Sequence, residues 1–569
     1  MEKWIIIPIL LVILAFILLV GFITERNKVK KFRGRLKREF VKPLDRDYSN
    51  ERMGAMRGYY ESHKDKGFSI DDITWNDLGV DDFIKNYNHS YSSVGDEILY
   101  AKLRMPAQKE EDGGFDRLEY YVKEFTENEK LRVEFQVLMA KLGRSGRYSL
   151  YKYLEYLSDV KPDHAVLTII DWIVYAGIIA FLFVNFYPAL VMLIVWIIGN
   201  VCVYLVRKHD IEAYFTSFEY ILRILKTSSS VNKLLPDGFN PEKEILKKAK
   251  GKLRGISTGN LVFLQSDTSS AVGDIGNGLM NFVKMFFQID IFLFYRMKNQ
   301  VEKNTEAIDA LFETLGTLDF AVNVASYRTI LPKYCVPAFT DRPVVETEEM
   351  VHPLLLKEGV ANSVHADGGI LLTGSNASGK STFLRMIGLN ALLAQSMHTV
   401  YAESYKGAFY RIYSSMSLKD SLLKGESYYM AEIRSIKRIL TAMEEDSSNV
   451  LCFVDEVLRG TNTKERIAAG AEIMRSMQNS HSICFAATHD IELAHLLLPQ
   501  FTNYHFDDEI REDDIYFPYK LKEGYATSRN AIALLRIMGY PEEIVNNANA
   551  YVNREDDKAL LLKEREKNE

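Results

Sequence analysis

The feature that most limits how this chain folds is a glycine-rich loop between an apolar segment and a helical pattern. Gly369–Thr373 read G-I-L-L-T, which is typical of a short buried strand, and Gly374–Ser381 follow at once as G-S-N-A-S-G-K-S. The apolar periodicity of the next residues, F-L-R-M-I-G-L-N-A-L-L-A, predicts a helix. A strand, a loop of the form G-x-x-x-x-G-K-[ST] and a helix together form a phosphate-binding loop. The alternative is a chance glycine turn, and the strand and helix on either side argue against it.

Each residue type in this loop has a chemical reason to be there. Gly374 and Gly379 let backbone amides approach phosphate oxygens closely, and the helix N-terminus favours negative charge. Lys380 supplies a catalytic positive charge to the outer phosphates, and the Ser381 hydroxyl is a ligand for Mg²⁺. The predicted nucleotide-binding residues are the whole loop and the start of its helix: Gly374, Ser375, Asn376, Ala377, Ser378, Gly379, Lys380, Ser381 and Thr382.

Two further apolar segments end in polar residues with catalytic chemistry. Val450–Val454 read V-L-C-F-V and are followed by Asp455 and Glu456. We expect Asp455 to hold Mg²⁺ through water and Glu456 to orient or deprotonate the attacking water. A third strand, Ser482–Ala487, is followed by T-H-D, which places His489 to sense the γ-phosphate. A lone histidine is more often an ordinary polar residue, but its position after a strand favours the catalytic role. The order of these segments predicts a parallel sheet with phosphates at its carboxyl edge.

Two apolar stretches predict three membrane spans. Residues 4–23 contain no charge and are long enough to span a bilayer. A cleaved signal peptide is the alternative, but the run is too long and no small-x-small cleavage site follows. Ala165–Val206 is broken near residues 185–188, so its length suits a hairpin of two spans. Asp171 within the first arm is costly in lipid unless it is paired or near the interface. A buried helical pair inside a soluble domain is the alternative to the hairpin.

Basic residues beside these stretches predict their orientation. Residues 26–38 contain eight lysines and arginines, and Arg207–His209 follow the second stretch. Positive charge marks the cytoplasmic side, so this pattern predicts a multi-pass membrane protein whose soluble parts face the cytoplasm. The cations of residues 26–38 could also contact anionic lipid or the phosphates of DNA. Their position beside a span favours a role in topology or lipid binding.

Charge and cysteine content exclude some function classes. The formal net charge is −6, so no overall basic field points to nucleic acid, and DNA binding would need a local patch. The four cysteines lie far apart in the chain without metal-ligand spacing. This pattern argues against disulfides and zinc and is typical of a reducing compartment.

The motifs resemble those of the MutS family, the DNA mismatch-repair ATPases and their relatives. The loop T-G-S-N-A-S-G-K-S-T-F-L-R is similar to the family's T-G-P-N-M-G-G-K-S-T, and D-E-V-L-R-G-T-N-T-K-E is similar to D-E-x-G-R-G-T-S-T. Upstream, N-H-S-Y-S-S-V-G-D-E-I-L-Y resembles the N-x-T-x-T-x-x-G of the family's helical core. The stretch L-F-E-T-L-G-T-L-D resembles the residues that precede the family's ATPase domain. The resemblance extends from about residue 73 to residue 552 and is most specific over 370–490.

The resemblance implies an ATPase that uses ATP and Mg²⁺ and works as a homodimer with composite sites. G-E-S-Y-Y-M-A-E-I resembles a family segment whose serine reaches the nucleotide of the other subunit, which makes Ser427 the trans-acting residue. Tyr519 stands where the family has a histidine near the adenine, and the tail to Val552 resembles the part that braces the dimer. DNA and an unidentified protein are the further partners that the resemblance leaves open. No Phe-x-Glu wedge precedes the core region, so mismatch recognition is not expected.

The predicted fold class is an α-helical core with an inserted transmembrane hairpin, followed by an α/β P-loop NTPase domain with a parallel sheet flanked by helices. Two other functions stay open: a transporter ATPase, against which stand three spans and no L-S-G-G-Q signature, and a membrane scaffold that ATP merely clamps. The predicted segments are an anchor (1–24), a basic linker (25–64), the first part of the core (65–164), the hairpin (165–206), the second part of the core (207–345), the ATPase domain with its dimerisation tail (346–552) and a charged tail (553–569).

Overall fold

The computed structural model describes residues 3–157, 165–256, 283–375, 378–416, 428–445, 448–458, 462–511, 514–526 and 531–552. The chain forms two compact units. The helical unit comprises Met1–Lys66, Lys85–Lys102 and Asp116–Ile330. The sheet unit comprises Gly67–Ile84, Leu103–Phe115 and Leu331–Glu569.

In the described part of the chain up to Ile330, all regular secondary structure is helical. The apolar periodicity of Gly95–Leu103 predicts a helix, and a slightly longer one is present over Ser93–Arg104. The apolar residues of Gly273–Tyr295 also predict a core helix, and the part of this segment before residue 283 lies outside the described residues. The helices in chain order are α1 (Lys3–Glu39), α2 (Asn50–Met56), α3 (Gly58–His63), α4 (Asp72–Asp77), α5 (Val80–Tyr87), α6 (Ser93–Arg104), α7 (Glu110–Gly113), α8 (Phe115–Glu127), α9 (Glu129–Leu142), α10 (Leu150–Leu157), α11 (Ala165–Leu182), α12 (Phe186–Leu234), α13 (Asn240–Lys252), α14 (Ile289–Lys303) and α15 (Thr305–Ile330).

The boundary predicted for the first part of the core, residues 65–164, is wrong in detail. Residues 67–84 and 103–115 belong to the sheet unit, which also resumes at Leu331 rather than at the predicted residue 346. The contacts of α4 show why, because buried Asp77 accepts hydrogen bonds from the Ser414 hydroxyl at 2.7 Å and the Met416 amide at 2.9 Å. A local apolar pattern predicts a helix, but it does not reveal which sheet or bundle the helix packs against.

The basic segment after the first apolar run is a packed helix and not the predicted linker. Helix α1 continues without interruption to Glu39, where Leu36 packs against Val133 and Val137 of α9. Arg33 pairs with Glu134 at 2.8 Å, and Lys37 pairs with Glu129. Part of the positive charge of residues 26–38 is therefore neutralised by α9.

The hairpin breaks where the sequence predicts, but its second arm is much longer than expected. Helix α11 ends at Leu182 and α12 begins at Phe186, yet α12 does not end near residue 206. Within the described residues, only Phe186–His209 is long and apolar enough to cross a membrane, and the apolar part of α11, Thr168–Leu182, is shorter. The structure therefore gives one candidate span where three were predicted. In the first arm of the hairpin, Asp171 interrupts the apolar run. In the predicted N-terminal span, most side chains of residues 3–18 lie outside the described part.

Both arms of the hairpin expose large apolar side chains. Ile173 and Val195 are each 65% exposed, Phe183 at the turn is 89% exposed, and only 17% of the most apolar stretch of α12 is buried. A buried helical pair would bury most of these side chains. The exposure contradicts that alternative.

The sheet unit is built on a six-stranded sheet in the order β12-β9-β4-β8-β7-β6, in which all neighbours except β12 are parallel. A second sheet has the order β1-β5-β2-β3. Three of its four strands precede the glycine-rich loop in the chain, and β5 follows that loop. The bounds are β1 (Ala338–Phe339), β2 (Val345–Met350), β3 (Asn362–Ala366), β4 (Gly369–Thr373), α16 (Lys380–Met397), β5 (Ser404–Gly407), β6 (Arg411–Ser415), α17 (Tyr428–Glu445), β7 (Val450–Asp455), α18 (Thr463–Ser476), β8 (Ser482–Ala487), α19 (Ile491–Leu496), β9 (Phe501–Phe506), β10 (Glu509–Arg511), β11 (Asp514–Tyr516), β12 (Leu521–Glu523) and α20 (Ala531–Ile537).

Candidate nucleotide-binding site

The three strands that carry the predicted chemistry are adjacent in the large sheet. Strand β8 lies between β4 and β7, and its last residue Ala487 is in register with both Leu372 and Asp455. The backbone continues these ladders, since the Glu456 amide donates to the Ala487 carbonyl at 2.8 Å and the Thr488 amide donates to the Leu372 carbonyl at 2.9 Å. The segments that follow the three strands therefore meet at one carboxyl edge.

The glycine-rich loop has the backbone conformation that its glycines predict. Gly374 and Gly379 have φ angles of 143° and 105°, which L side chains rarely adopt. A Cβ atom on Gly374 would lie 2.9 Å from the Phe506 carbonyl oxygen. Lys380 is the first residue of α16, and its Nζ donates to the carbonyls of Gly374 and Ser375, each at 2.8 Å. The ammonium group therefore lies within the curve of the loop.

The predicted metal ligands are in direct contact. The Ser381 hydroxyl donates to Asp455 Oδ2 at 2.5 Å, which places a hydroxyl and a carboxylate oxygen side by side at the start of α16. Oxygen donors of these two kinds are what Mg²⁺ prefers. The buried Ser378 hydroxyl has no hydrogen-bond partner among the described atoms, so a polar group is left over in the loop where phosphate oxygens would bind. The donor set therefore fits a nucleotide with Mg²⁺.

Glu456 and His489 face each other across the same edge. Glu456 has a φ of 62°, a left-handed conformation that is costly for a residue with a side chain and is often found at functional sites. His489 Nδ1 lies 3.4 Å from Glu456 Oε1, and its Nε2 lies 3.7 Å from Asp490 Oδ1. The imidazole is half exposed while the Glu456 carboxylate is mostly buried. A carboxylate and an imidazole are thus available to a substrate bound at this edge.

Tyr519 lies against the glycine-rich loop. A Cβ atom on Gly379 would be 2.9 Å from Tyr519 Cδ1, so the aromatic ring closely approaches the loop backbone. Asn362 fixes this segment by donating to the Tyr519 carbonyl at 3.0 Å and accepting from the Leu521 amide at 2.8 Å. The ring remains 43% exposed, which leaves a surface for a nucleotide base. Contact with adenine stays a prediction.

Several predicted site residues lie outside the described part of the chain. Asn376 and Ala377 of the loop are among them, and so is Ser427, whose trans-acting role stays a prediction. Ser375 follows β4 and Thr382 lies in the first turn of α16, as expected. The residues that the structure brings together at one edge are Gly374, Ser375, Ser378, Gly379, Lys380, Ser381, Thr382, Asp455, Glu456, His489 and Tyr519.

Two supporting contacts are not predictable from the sequence pattern. Arg466 of α18 pairs with Asp490 through two hydrogen bonds, Nε to Oδ2 at 3.1 Å and Nη2 to Oδ1 at 2.8 Å. Glu432 of α17 accepts a hydrogen bond from the Leu458 amide at 2.6 Å and so holds the loop that follows β7. Arg466 and Asp490 are 24 residues apart in the chain, and Glu432 and Leu458 are 26 residues apart. No sequence motif predicts a contact at either separation.

Comparisons with known proteins agree with this geometry. Residues 370–555 match the family model for MutS domain V. The chain is similar to the DNA mismatch repair proteins MutS of the Staphylococcus aureus strains JH9 and Newman, with 28% identity over 275 residues in each case. The similarity covers 46% of this chain and 31% of each relative, so the chain spans about a third of the length of the curated relatives it matches.

Proposed function

We propose that this chain is a membrane-attached ATPase that hydrolyses ATP to ADP and phosphate with Mg²⁺, on the premise that it belongs to the MutS family through the domain V that its residues 370–555 match. The observation that carries the proposal is the convergence of Lys380, Ser381 and Asp455 at one sheet edge, with a 2.5 Å contact between the last two. Glu456 and His489 complete the set.

Each residue at this edge of the sheet has a separate role in the proposed hydrolysis. Lys380 and the loop amides bind the phosphates, while Ser381 and Asp455 hold Mg²⁺. When bound, Mg²⁺ neutralises charge that develops on the phosphate oxygens. Glu456 orients the attacking water and accepts its proton. His489, at 3.4 Å from Glu456, holds that carboxylate in place and contacts the outer phosphate.

The ATPase is proposed to work as a homodimer with composite sites. The support is the family's segment around Ser427 and the apolar surface of the C-terminal tail, where Met538 is 72% exposed and Tyr540 and Ile544 about half exposed. Exposed apolar patches of this kind are typical of subunit contacts. A second copy of this chain would cover them.

Attachment to a membrane is proposed through the hairpin of α11 and α12, with the α1 run as a further anchor. Inside the apolar exterior of the hairpin, Tyr175 accepts a hydrogen bond from Asn200 at 3.2 Å, and both side chains are buried. Polar groups that face each other inside an apolar exterior are the arrangement that a bilayer requires. Positive charge after both apolar runs supports a cytoplasmic location of the two units.

The decisive experiment is ATP turnover by the full chain purified in detergent. We expect Mg²⁺-dependent hydrolysis that Lys380→Ala abolishes, and Glu456→Gln should retain ATP binding while turnover falls by about two orders of magnitude. Lys357→Ala, which changes an exposed lysine of the same unit, is the matched control. Equal turnover in wild type and Lys380→Ala would refute the proposal. Tight nucleotide binding with negligible turnover in wild type would favour the clamped scaffold instead.

The relatives are named DNA mismatch repair proteins, and we therefore also propose that the ATPase acts on DNA. It is tested by adding homoduplex and mismatched DNA to the same assay across a salt series. A mismatch-dependent change in turnover would extend the function to DNA lesions. Turnover indifferent to all DNA would direct the search to a membrane or protein partner, and transport would be tested in sealed vesicles.

A further inference from the structure

Helix α13 and the turn after it carry a cluster of positive charge that the ATPase mechanism does not use. Residues 247–254 contain five lysines and arginines and no acidic residue. Helix C-termini favour cations, but this effect is confined to the last turn and does not account for Lys247 and Lys248. All five side chains are exposed, and together they form the α13 basic patch: Lys247, Lys248, Lys250, Lys252 and Arg254.

The amphipathic character of α13 turns the whole patch toward solvent. Leu246, Ala249 and Leu253 are buried at spacings of three and four residues, so they define the inner face of the helix. The five cations occupy the remaining surface in two rows, whose members are also three or four residues apart. At the rise of an α-helix, the rows are roughly 6 and 10 Å long. The positive charge is therefore concentrated on one small outer surface.

Neighbouring acids do not neutralise the patch. Lys243, at the start of the same helix, pairs with Asp237 at 3.4 Å. The buried Glu242 pairs with Arg117 at 2.6 Å and so is not available to the patch. Within the part of the chain that the structure describes, no member of the patch forms an ion pair. The basic segment of residues 26–38 differs in this respect, because α9 neutralises part of its charge.

The position of the patch in the helical unit separates it from the proposed membrane surface. A Cβ atom on Gly255 would lie 3.1 Å from the Gln300 side chain, so the patch ends beside this residue of α14. Gln288, just before α14, accepts a hydrogen bond from Arg207 at the end of the apolar arm. Gln300 lies 12 residues beyond Gln288 along α14, which corresponds to about 18 Å. Charge is screened beyond about 8 Å at physiological ionic strength, so lipid headgroups are disfavoured as the partner.

The composition of the patch favours a nucleic-acid backbone over an acidic protein. Four of its five cations are lysines, a residue type that is depleted in protein–protein interfaces and common in contacts to phosphate. On α13 itself, Ile245 is the exposed large apolar side chain, which offers little apolar surface to a protein partner. The patch contains no aromatic ring on which an unpaired base could stack, so a duplex fits better than a single strand.

We propose that the α13 basic patch binds the phosphate backbone of a DNA duplex, independently of base sequence, and holds it beside the membrane to which the chain is attached. The role of this contact rests on the proposed membrane attachment and action on DNA, to which it adds a binding surface outside the ATPase site. The duplex is held by the charge of the lysine and arginine side chains, and its bases are not read.

The test is the affinity of the nucleotide-free full chain in neutral detergent for a fluorescent DNA duplex of mixed sequence, measured by anisotropy across a salt series. The logarithm of the affinity should fall with the logarithm of salt concentration with a slope of about −0.9 per phosphate contact, or about −4.5 for five contacts. Lys248→Gln combined with Lys252→Gln should reduce this slope by about 1.8 and weaken binding at least about ten-fold at physiological salt.

The matched control removes the same number of exposed cations from another helix of the same unit. Lys30→Gln combined with Lys31→Gln, on α1, should change neither the slope nor the affinity. ATP turnover without DNA is measured on the same preparations, and both pairs of variants should retain wild-type turnover because the patch lies outside the ATPase site. Salt-dependent duplex binding in preparations that lack turnover would remove the proposed ATPase and leave the binding surface supported.

Two further measurements separate DNA from other occupants of the patch. In nanodiscs, replacing about one third of the phosphatidylcholine with phosphatidylserine should leave the duplex affinity within about two-fold, because the patch lies beyond the screening length. Loss of duplex binding on this replacement would place the patch against lipid and overturn the proposal. Displacement of the duplex by poly-glutamate at equal charge concentration would identify an acidic protein as the partner instead.

Three results of the salt series would also overturn the proposal. The first is the absence of salt-dependent duplex binding by the wild-type chain. The second is a slope that the Lys248→Gln and Lys252→Gln pair leaves unchanged. The third is an equal reduction by the control pair on α1, which would show that only the total charge of the chain matters.

Discussion

At the scale of single residues, the Arg466–Asp490 pair controls the position of the histidine beside the catalytic carboxylate. Asp490 follows His489 directly, and the two hydrogen bonds from Arg466 fix it from the neighbouring helix α18. The two side chains are only 16% and 13% exposed, so the pair is shielded from water. We infer that Arg466 is a positioning residue for His489.

We expect Arg466→Ala to lower kcat about ten-fold with little change in KM, because Lys380 and the loop amides make most of the contacts to ATP and His489 adds only one to the outer phosphate. Arg466→Lys should restore only part of the rate, since a lysine cannot form the two parallel hydrogen bonds of a guanidinium. The measurement is steady-state ATP turnover, with Arg475→Ala on the same helix as the control. A drop confined to KM, or full recovery in Arg466→Lys, would contradict the positioning role.

Asp319 makes the helical unit sensitive to pH. Burial raises its pKa to about 7, whereas an unfolded aspartate titrates near pH 4. The folded state therefore binds more protons than the unfolded state between these values, so the free energy of unfolding falls as pH rises toward 7 and slightly beyond. Buried His89, with a pKa lowered to about 3, has the opposite effect, which continues to about pH 7.5 because an unfolded histidine titrates near pH 6.5. Comparing wild type with a variant at Asp319 cancels this contribution, because both proteins contain His89.

We expect wild-type protein to lose roughly 1 kcal/mol of stability from Asp319 alone between pH 6.5 and 8. Asp319→Asn should remove this part of the slope, although the variant's stability at any one pH can differ from that of wild type. Glu97, whose pKa burial also raises, will keep some of the slope. Thermal unfolding at both pH values measures the difference, and Glu306→Gln on the exposed side of α15 is the control. Identical slopes in wild type and Asp319→Asn would refute the assignment.

At the scale of elements, a polar side chain ties the two arms of the hairpin to the segment before α14. Gln288 is buried with a left-handed φ of 47°, donates to Asn200 of α12, and accepts from Arg207 at 2.9 Å. The neighbouring Phe287 carbonyl accepts from the Trp172 indole of α11 at 2.7 Å. The hairpin is thus fixed to the rest of its unit by directed hydrogen bonds.

Gln288→Ala should destabilise the helical unit by about 1–3 kcal/mol, because it leaves buried polar partners unsatisfied. Gln288→Gly removes the same hydrogen bonds but relieves the left-handed backbone, so it should be the less harmful variant if strain matters. Thermal unfolding in detergent gives both values, with Gln300→Ala on α14 as the control. A Gln288→Ala variant as stable as wild type would show that the hydrogen bonds do not hold the hairpin.

The elements that the sequence predicts best are those whose apolar runs end in reactive groups. Strands β4 and β8 have the predicted bounds and β7 is one residue longer, because a fully buried parallel strand is a continuous apolar run. Strand β2, V-E-T-E-E-M, alternates with charged residues, and the smaller sheet to which it belongs was not predicted. The docking of α1 on α9 and of α4 on β6 depends on partners distant in sequence, which periodicity does not identify.

The nucleotide-binding site also contains some residues whose position the sequence predicts and some contacts that it does not predict. Lys380, Ser381, Asp455 and Glu456 could be placed from sequence because strand order brings their segments to one edge. The Arg466–Asp490 pair and the approach of Tyr519 to Gly379 could not, since they join segments through tertiary packing alone.

At the scale of the whole molecule, the proposed membrane attachment predicts which parts of the hairpin face the outside of the cell. In a background where Cys202 and Cys335 are serine, we expect Val184→Cys at the turn to react with a membrane-impermeant maleimide added to intact cells. Lys208→Cys should react only after permeabilisation, because positive charge keeps that end in the cytoplasm. The remaining cysteines, Cys452 and Cys484, are buried. Labelling of Lys208→Cys in intact cells, or none at Val184 from outside, would contradict the proposed topology.

Helix α12 also has a mechanical consequence. Its 49 residues run unbroken from the exposed apolar arm to Leu234, and about 27 of them lie beyond residue 207. That rigid portion is roughly 40 Å long. A change of about 10° in the tilt of the membrane arm, well within the range that bilayer thickness imposes, would displace the far end by roughly 7 Å. If the hairpin spans a bilayer as proposed, this uninterrupted helix would transmit a change in lipid thickness to the helical unit.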